Sequence, residues 1–241
     1  VLNNSTTSPG TATYVVTPTN ATCAGHLKNF VITVNPVAQV NQPASQTVCN
    51  NASTTAVNFT TNNTGGTTTY SWTNNTTSIG LAASGSGDIA SFTAVNTGTS
   101  PVTATIVVTP TYTNSNGGPS CTGPTKTFTI TVNPTGQVNQ PSNQVVCVGV
   151  TTTASFSTAN TGGTTTYAWT NTNTAIGLAA SGNGNISFTS ANNTAGPITG
   201  TITITPTFTN TSACPGPTQS FTITVNPVAN VAAGTTQTIC N

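Results

Sequence analysis

The sequence predicts an all-β chain: immunoglobulin-like β-sandwich domains in a tandem, end-to-end array. Three observations predict it. Near-identical phrases recur at intervals of about 95 residues, apolar and threonine residues alternate with a period of two, and each interval carries one tryptophan. Alternation argues for half-buried strands, and long-period self-similarity argues for repeated folding units.

The repeats come first. The phrase TVNP ends at Pro36, Pro134 and Pro227. Residues 37–134 and 135–227 are therefore complete units. Their middles match closely, FTTNNTGGTTTYSWTNNTTSIGLAASGSGD against FSTANTGGTTTYAWTNTNTAIGLAASGNGN. Residues 1–36 match the C-terminal part of a unit, because TSPGTATYVVTP aligns with TSPVTATIVVTP. Residues 228–241 match a unit's first strand: TQTICN resembles SQTVCN. The chain is expected to be an excerpt from a longer array.

Within a unit the elements follow in order. AVNFTT (56–61), TYSWTN (69–74), TATIVVTP (103–110) and TFTITV (127–132) alternate as strands. In the last of these, Phe128, Ile130 and Val132 face one way and threonines the other. Threonine is β-branched and suits a half-exposed strand face. NNTGG (62–66), SGSGD (84–88) and NSNGGPS (114–120) read as turns. About seven short strands with a tryptophan near the third fit an immunoglobulin-like sandwich. Trp72 and Trp169 are the expected core anchors, with Tyr70 and Tyr167 on the same strand face. A β-helix is the alternative, disfavoured because its repeats are far shorter.

Composition then removes function classes. The chain is 34% hydrophobic and only 1% charged, with Lys28, Lys126 and Asp88 as the inventory. An average domain carries roughly a quarter charged residues, so hydroxyl and amide groups must hydrate this surface. Two lysines cannot neutralise a phosphate backbone, so nucleic acid is not an expected partner. No apolar run approaches the roughly 20 residues that span a bilayer, so no membrane insertion is expected in this segment.

Chemistry is equally sparse. His26 and Asp88 stand where other units have proline and Asn185. A lone loop residue is a solvated turn far more often than a catalyst. No carboxylate pair serves glycoside hydrolysis, and no His–acid partner activates a hydroxyl. Calcium needs several carboxylates, and zinc needs clustered thiols or imidazoles. No enzyme activity, catalytic residue, metal or cofactor is expected. Tyr112 and Phe208 follow prolines taken as strand ends and are candidates for stacking on surface glycans.

The six cysteines suggest an oxidising compartment. They fall as Cys23 and Cys49, Cys121 and Cys147, Cys214 and Cys240, one on each side of every TVNP. In an antiparallel sandwich, Cys49 and Cys147 end the first strand near one pole. Cys121 and Cys214 precede the last strand near the other. A disulfide requires Cα atoms within about 7 Å. Bonding across TVNP is therefore the poorest choice. The preferred pair is Cys49 with Cys214, across the junction of the two complete units. Intradomain pairs Cys49–Cys121 and Cys147–Cys214 follow instead if the first strand is short or displaced.

The order QTVC, TTYSW, IVVTP, C-x-G and FTITVNP resembles the PKD-like and related immunoglobulin-like repeats of very large Bacteroidota surface proteins. Such proteins are commonly type IX secreted and include gliding and adhesin types. The chain departs from PKD domains in lacking their acidic loops. The resemblance implies an extracellular, cell-surface location and a structural role as a segment of an adhesin stalk or filament. The expected partners are neighbouring repeats of the same chain. Two alternatives stand beside it. One is a carbohydrate- or surface-binding module. The other is a fibre subunit whose partial end domains are completed by copies of itself.

Overall fold

The computed structural model describes residues 2–229, 234 and 238–240. Most of the expected first strand at 228–241 lies outside them. The chain divides into two units. Unit 1 is Val1–Asn96 with Pro101–Val132, and unit 2 is Thr97–Ser100 with Asn133–Asn241.

Unit 1 begins with β1 (Gly10–Val16), β2 (Thr19–Asn20), β3 (Cys23–Ala24) and β4 (Lys28–Val34). β1 and β4 form a two-stranded antiparallel sheet. Next come β5 (Gln46–Cys49), β6 (Gly66–Asn74), β7 (Ser84–Ser86), β8 (Val102–Asn114), β9 (Cys121–Thr122) and β10 (Lys126–Asn133). They make one sheet in the order β5-β10-β8-β6-β7, with β9 added to the end of β8. Unit 2 repeats the plan. It has β11 (Gln144–Cys147), β12 (Thr151–Ala154), β13 (Thr164–Asn171), β14 (Ser181–Asn183), β15 (Ile186–Thr189), β16 (Ile198–Thr209), β17 (Ala213–Pro215) and β18 (Gln219–Asn226). The sheet order is β11-β18-β16-β13-β14, with β17 on β16. A second sheet, β12 with β15, faces it. In unit 1 that second sheet is reduced to the bridges Ser53↔Thr93 and Val57↔Ile89. The chain is thus all-β and built of immunoglobulin-like sandwiches.

Alternation sets the core. In β8 and β10, Phe128 lies opposite Ile106 and Ile130 opposite Ala104, and all four are buried. On the outer face Thr103 and Thr131 hydrogen-bond at 2.9 Å, as do Thr199 and Thr224 in unit 2. Such cross-strand pairs each contribute a few tenths to about 1 kcal/mol. Trp72 and Trp169 are buried in their units' cores, with Tyr70 and Tyr167 packed against them. Phe59 lies edge-on to Phe128 at 6.4 Å, and Phe156 repeats this with Phe221 at 6.4 Å. Edge-to-face contact suits the ring quadrupoles.

Several local expectations change. SGSGD is not wholly a turn. Ser84–Ser86 pairs with β6, and Gly85 lies directly beneath the Trp72 ring, where any Cβ would collide with it. Gly182 sits beneath Trp169 in the same way. AVNFTT makes bridges rather than a regular strand. Pro110 does not end its strand. Its carbonyl accepts from Gly123 N at 3.0 Å, and β8 continues to Asn114. Tyr112 and Phe208 do not project from the sheet; both are fully buried. The Tyr112 hydroxyl donates to the Thr64 carbonyl at 2.9 Å. Their part is packing, so they offer no stacking face to a sugar.

Candidate functional site

With so few ionisable groups, the features able to do covalent or mechanical work are the cysteines and the segments that carry them. In unit 2, β11 runs parallel to β18 and sets Cys147 opposite Asn226. Asn226 ends β18 and leads to Pro227 and the following segment. Call this the downstream pole. Cys214, on β17, lies opposite Phe208 near the far end of β16. On β16, Ile198 pairs with Val225 beside the downstream pole. Ten residues of strand separate Ile198 from Phe208, or about 33 Å. Cys147 and Cys214 therefore stand at opposite ends of one sheet, far outside disulfide reach.

The upstream pole is closed by the arm that carries the cysteine. In unit 2 the Cys214 carbonyl accepts from Gly136 N at 3.0 Å, and Asn133 Nδ2 donates to the Ser212 carbonyl at 3.4 Å. The arm thus lies flat on the linker that leads into its repeat. Gly216 abuts the Gly136 carbonyl so closely that no side chain fits there. Unit 1 shows the same arrangement. Asn35 Nδ2 donates to the Pro119 carbonyl at 3.1 Å, Asn114 Nδ2 donates to Asn35 Oδ1 at 2.8 Å, and Gly123 abuts the Ala38 carbonyl. This explains the C-x-G phrase: its glycine lets the cysteine arm press onto the linker backbone.

The cysteines differ in state. Cys49 and Cys214 are disulfide-bonded. Cys23, Cys121, Cys147 and Cys240 are thiols. Equivalent positions therefore divide: Cys214 is buried and Cys121 half-buried, while Cys49 is half-buried and Cys147 exposed.

Sequence reading missed a second element, an asparagine at the start of the N-T-G-G phrase. In unit 1 Asn63 Oδ1 accepts from Gln39 N at 2.7 Å, and its amide donates to the Val37 and Thr7 carbonyls at 3.1 and 3.4 Å. In unit 2 Asn160 accepts from Gln137 N at 2.7 Å and donates to Thr135 and Thr99 at 3.2 and 3.3 Å. Thr64 N and Thr161 N bond the same Thr7 and Thr99 carbonyls, each at 2.9 Å. Thr7 and Thr99 are corresponding residues of the T-S-P phrase in successive repeats. One amide thus joins three segments of the same unit: the linker, its own loop and the T-S-P segment. The available signal was the recurrence of N-T-G-G itself.

Among the lone ionisable groups, Asp88 has a local partner. Asp88 Oδ1 accepts from Phe59 N at 2.7 Å, and Asn185 makes the same bond to Phe156 N at 2.8 Å. An amide serves as well as a carboxylate, so this position is structural. His26 is exposed on the N-terminal hairpin. Among the described residues no cluster of three or more His, Cys, Asp or Glu is placed to hold a metal, and no helix is long and apolar enough to cross a membrane. Burial, and secondarily Cys121, pushes the Tyr112 phenol pKa up. Burial, then Asp88, does the same to Tyr70, and burial alone to Tyr167.

No family model and no curated protein matches the chain. Solved structures similar to it include fibronectin(III)-like modules of Clostridium thermocellum CbhA, at 13% identity and TM-score 0.32, covering 82% of this chain and 100% of that one. The D00-D0 domain of intimin is similar at 16% identity and TM-score 0.32, covering 77% and 99%. Chicken CNTN1 FN1-FN3 domains are similar at 13% identity and TM-score 0.30, covering 87% and 74%.

Proposed function

We propose that this chain is a structural segment of an extracellular adhesin stalk or surface filament, stiffened at each junction by a disulfide. The repeats are the units 37–134 and 135–227, with 1–36 and 228–241 belonging to their neighbours. The proposed staple joins Cys49 to Cys214. One observation carries it: in unit 2 one cysteine lies at the downstream pole and the other at the upstream pole, on the arm pressed against the incoming linker, and in unit 1 Asn50, beside Cys49, is tied through Asn96 to Val132 near the end of β10, while Cys121 lies opposite Tyr112. A downstream cysteine then meets the upstream cysteine of the repeat that follows. Cys49 and Cys214 stand in that relation, and both are bonded. By the same rule Cys147 serves a following repeat, and Cys121 a preceding one.

The setting suits such a bond. A disulfide is insensitive to salt and chelators, whereas calcium bridges need the carboxylates this chain lacks. The secreted repeats of Bacteroidota surface proteins, which the motifs resemble, supply a matching context: export, and a surface location. The reading needs no catalysis.

Peptide mapping without reductant tests the staple. A peptide joining Cys49 to Cys214 is expected, and one joining Cys49 to Cys121 would sink it. Dithiothreitol should lower the unfolding midpoint, because a disulfide typically adds about 2–4 kcal/mol. EDTA should leave that midpoint unchanged.

One observation favours a second reading, in which another chain completes the first repeat. The β1–β4 sheet exposes Tyr14, Val16 and Phe30. Self-association that grows with concentration, and disappears when these three are made polar, would support it.

A further inference from the structure

If Cys49 bonds Cys214, residues 50–213 become a closed covalent loop. That loop contains Trp72, Trp169 and most of both cores. A pull applied at the chain's ends then runs through residues 1–49, crosses the disulfide, and continues through 214–241. We infer that the staple reroutes tension past residues 50–213, so that this loop, with most of both cores, lies outside the covalent load path. The inference rests on the staple reading above.

The geometry within the units fits this path. In unit 2 tension would enter at Cys214 on the upstream pole and leave past Asn226 on the downstream pole. Between them lies β18, pulled along its own axis and bonded on both sides, to β16 and to β11. In unit 1 tension would run through β5 to Cys49 at its end. Neither strand is peeled from its sheet by a pull between those points. The spacing has the same meaning. Cys214 and Cys240 are 26 residues apart, as are Cys23 and Cys49, and Cys121 and Cys147. The segments 23–49 and 121–147 each hold a last strand, a linker and a first strand, β4 with β5 and β10 with β11. Linked by staples, they form covalent tracks that skip the stretches between the two cysteines of each repeat, whose lengths differ, 72 residues (121−49) against 67 (214−147). Length differences between repeats then fall inside the bypassed loops and leave the tracks unchanged.

The chain, held by its termini and stretched, tests this directly. With the bond intact only residues 1–49 and 214–241 can extend, to ~270 Å at about 3.5 Å per residue. Dithiothreitol reduces the disulfide to two thiols and is itself oxidised to its cyclic disulfide. The full chain then extends to about 850 Å, roughly a threefold gain. The double variant C49S/C214S should show that length without reductant. A bond closing residues 50–120 or 148–213 instead would leave roughly seven tenths of the full length before reduction. Either that result or full extension without reductant overturns the staple reading. A separate arm tests the unloaded loop. Stapled tethers are held under force with thermolysin, washed, and then reduced. Survival equal to that of slack tethers supports the inference. Among tethers that stay intact until reduction, parting of the loaded ones alone means that the bypassed loop opens under force, which overturns it even with the staple confirmed.

Discussion

The β1–β4 and β8–β10 hairpins have nearly the same sequence and opposite surroundings. Tyr14 lies opposite Phe30 just as Ile106 lies opposite Phe128. Phe128 is 3% exposed and Phe30 61%. The pairing is identical, so register and hydrogen bonds do not depend on burial. What β1–β4 lacks is the cover that Phe59, Trp72 and Ile89 give to β8–β10. The hairpin specifies its own geometry, and the middle of the repeat supplies the hydrophobic stabilisation.

The comparison can be broken most strongly at its aromatic pair. Phe128→Ala should cost about 3–5 kcal/mol, because a buried ring leaves a cavity. Phe30→Ala should stay within about 0.5 kcal/mol, as exposed substitutions do. Denaturant unfolding of the two variants measures the difference, and equal losses would refute the account. The next effect concerns the cover itself. Gly85→Ala or Gly182→Ala should destabilise by about 1–3 kcal/mol, since the new methyl group meets a tryptophan ring already packed in place. Near-ultraviolet circular dichroism should show the indole shifted.

The smallest effect is in pH. The folded state raises the pKa of Tyr70, Tyr112 and Tyr167 above the unfolded value near 10. For a raised pKa, the associated stability is fully present below the unfolded value. It is lost as pH rises through the folded one. Unfolding midpoints should therefore fall only above about pH 10. A fall that begins near pH 8 would contradict this.

Much of this was legible in the sequence. Phe128, Ile130 and Val132 declared their face by alternation, and Trp72 and Trp169 declared the core by recurring once per unit. The two poles of the cysteines followed from strand order. Less legible were features set by close packing. SGSGD has turn composition, yet Gly85 is there because Trp72 lies over it. Pro110 reads as a strand end, yet its carbonyl still finds a donor. Tyr112 and Phe208 looked available beyond those prolines, because nothing local indicated that the strands continue. Asn63 and Asn160 were hidden in an asparagine-rich chain, where composition obscures a single important amide.

Those two asparagines have a consequence for how such a chain changes over generations. Each reaches the segments beside it through backbone groups, the Thr7 or Thr99 carbonyl on one side and the Val37 or Thr135 carbonyl with the Gln39 or Gln137 N–H on the other. A connector of this kind does not inspect the side chains it joins. Copies can then be duplicated, deleted or exchanged by recombination without redesigning any joint, and length becomes a trait that drifts or is selected independently of fold.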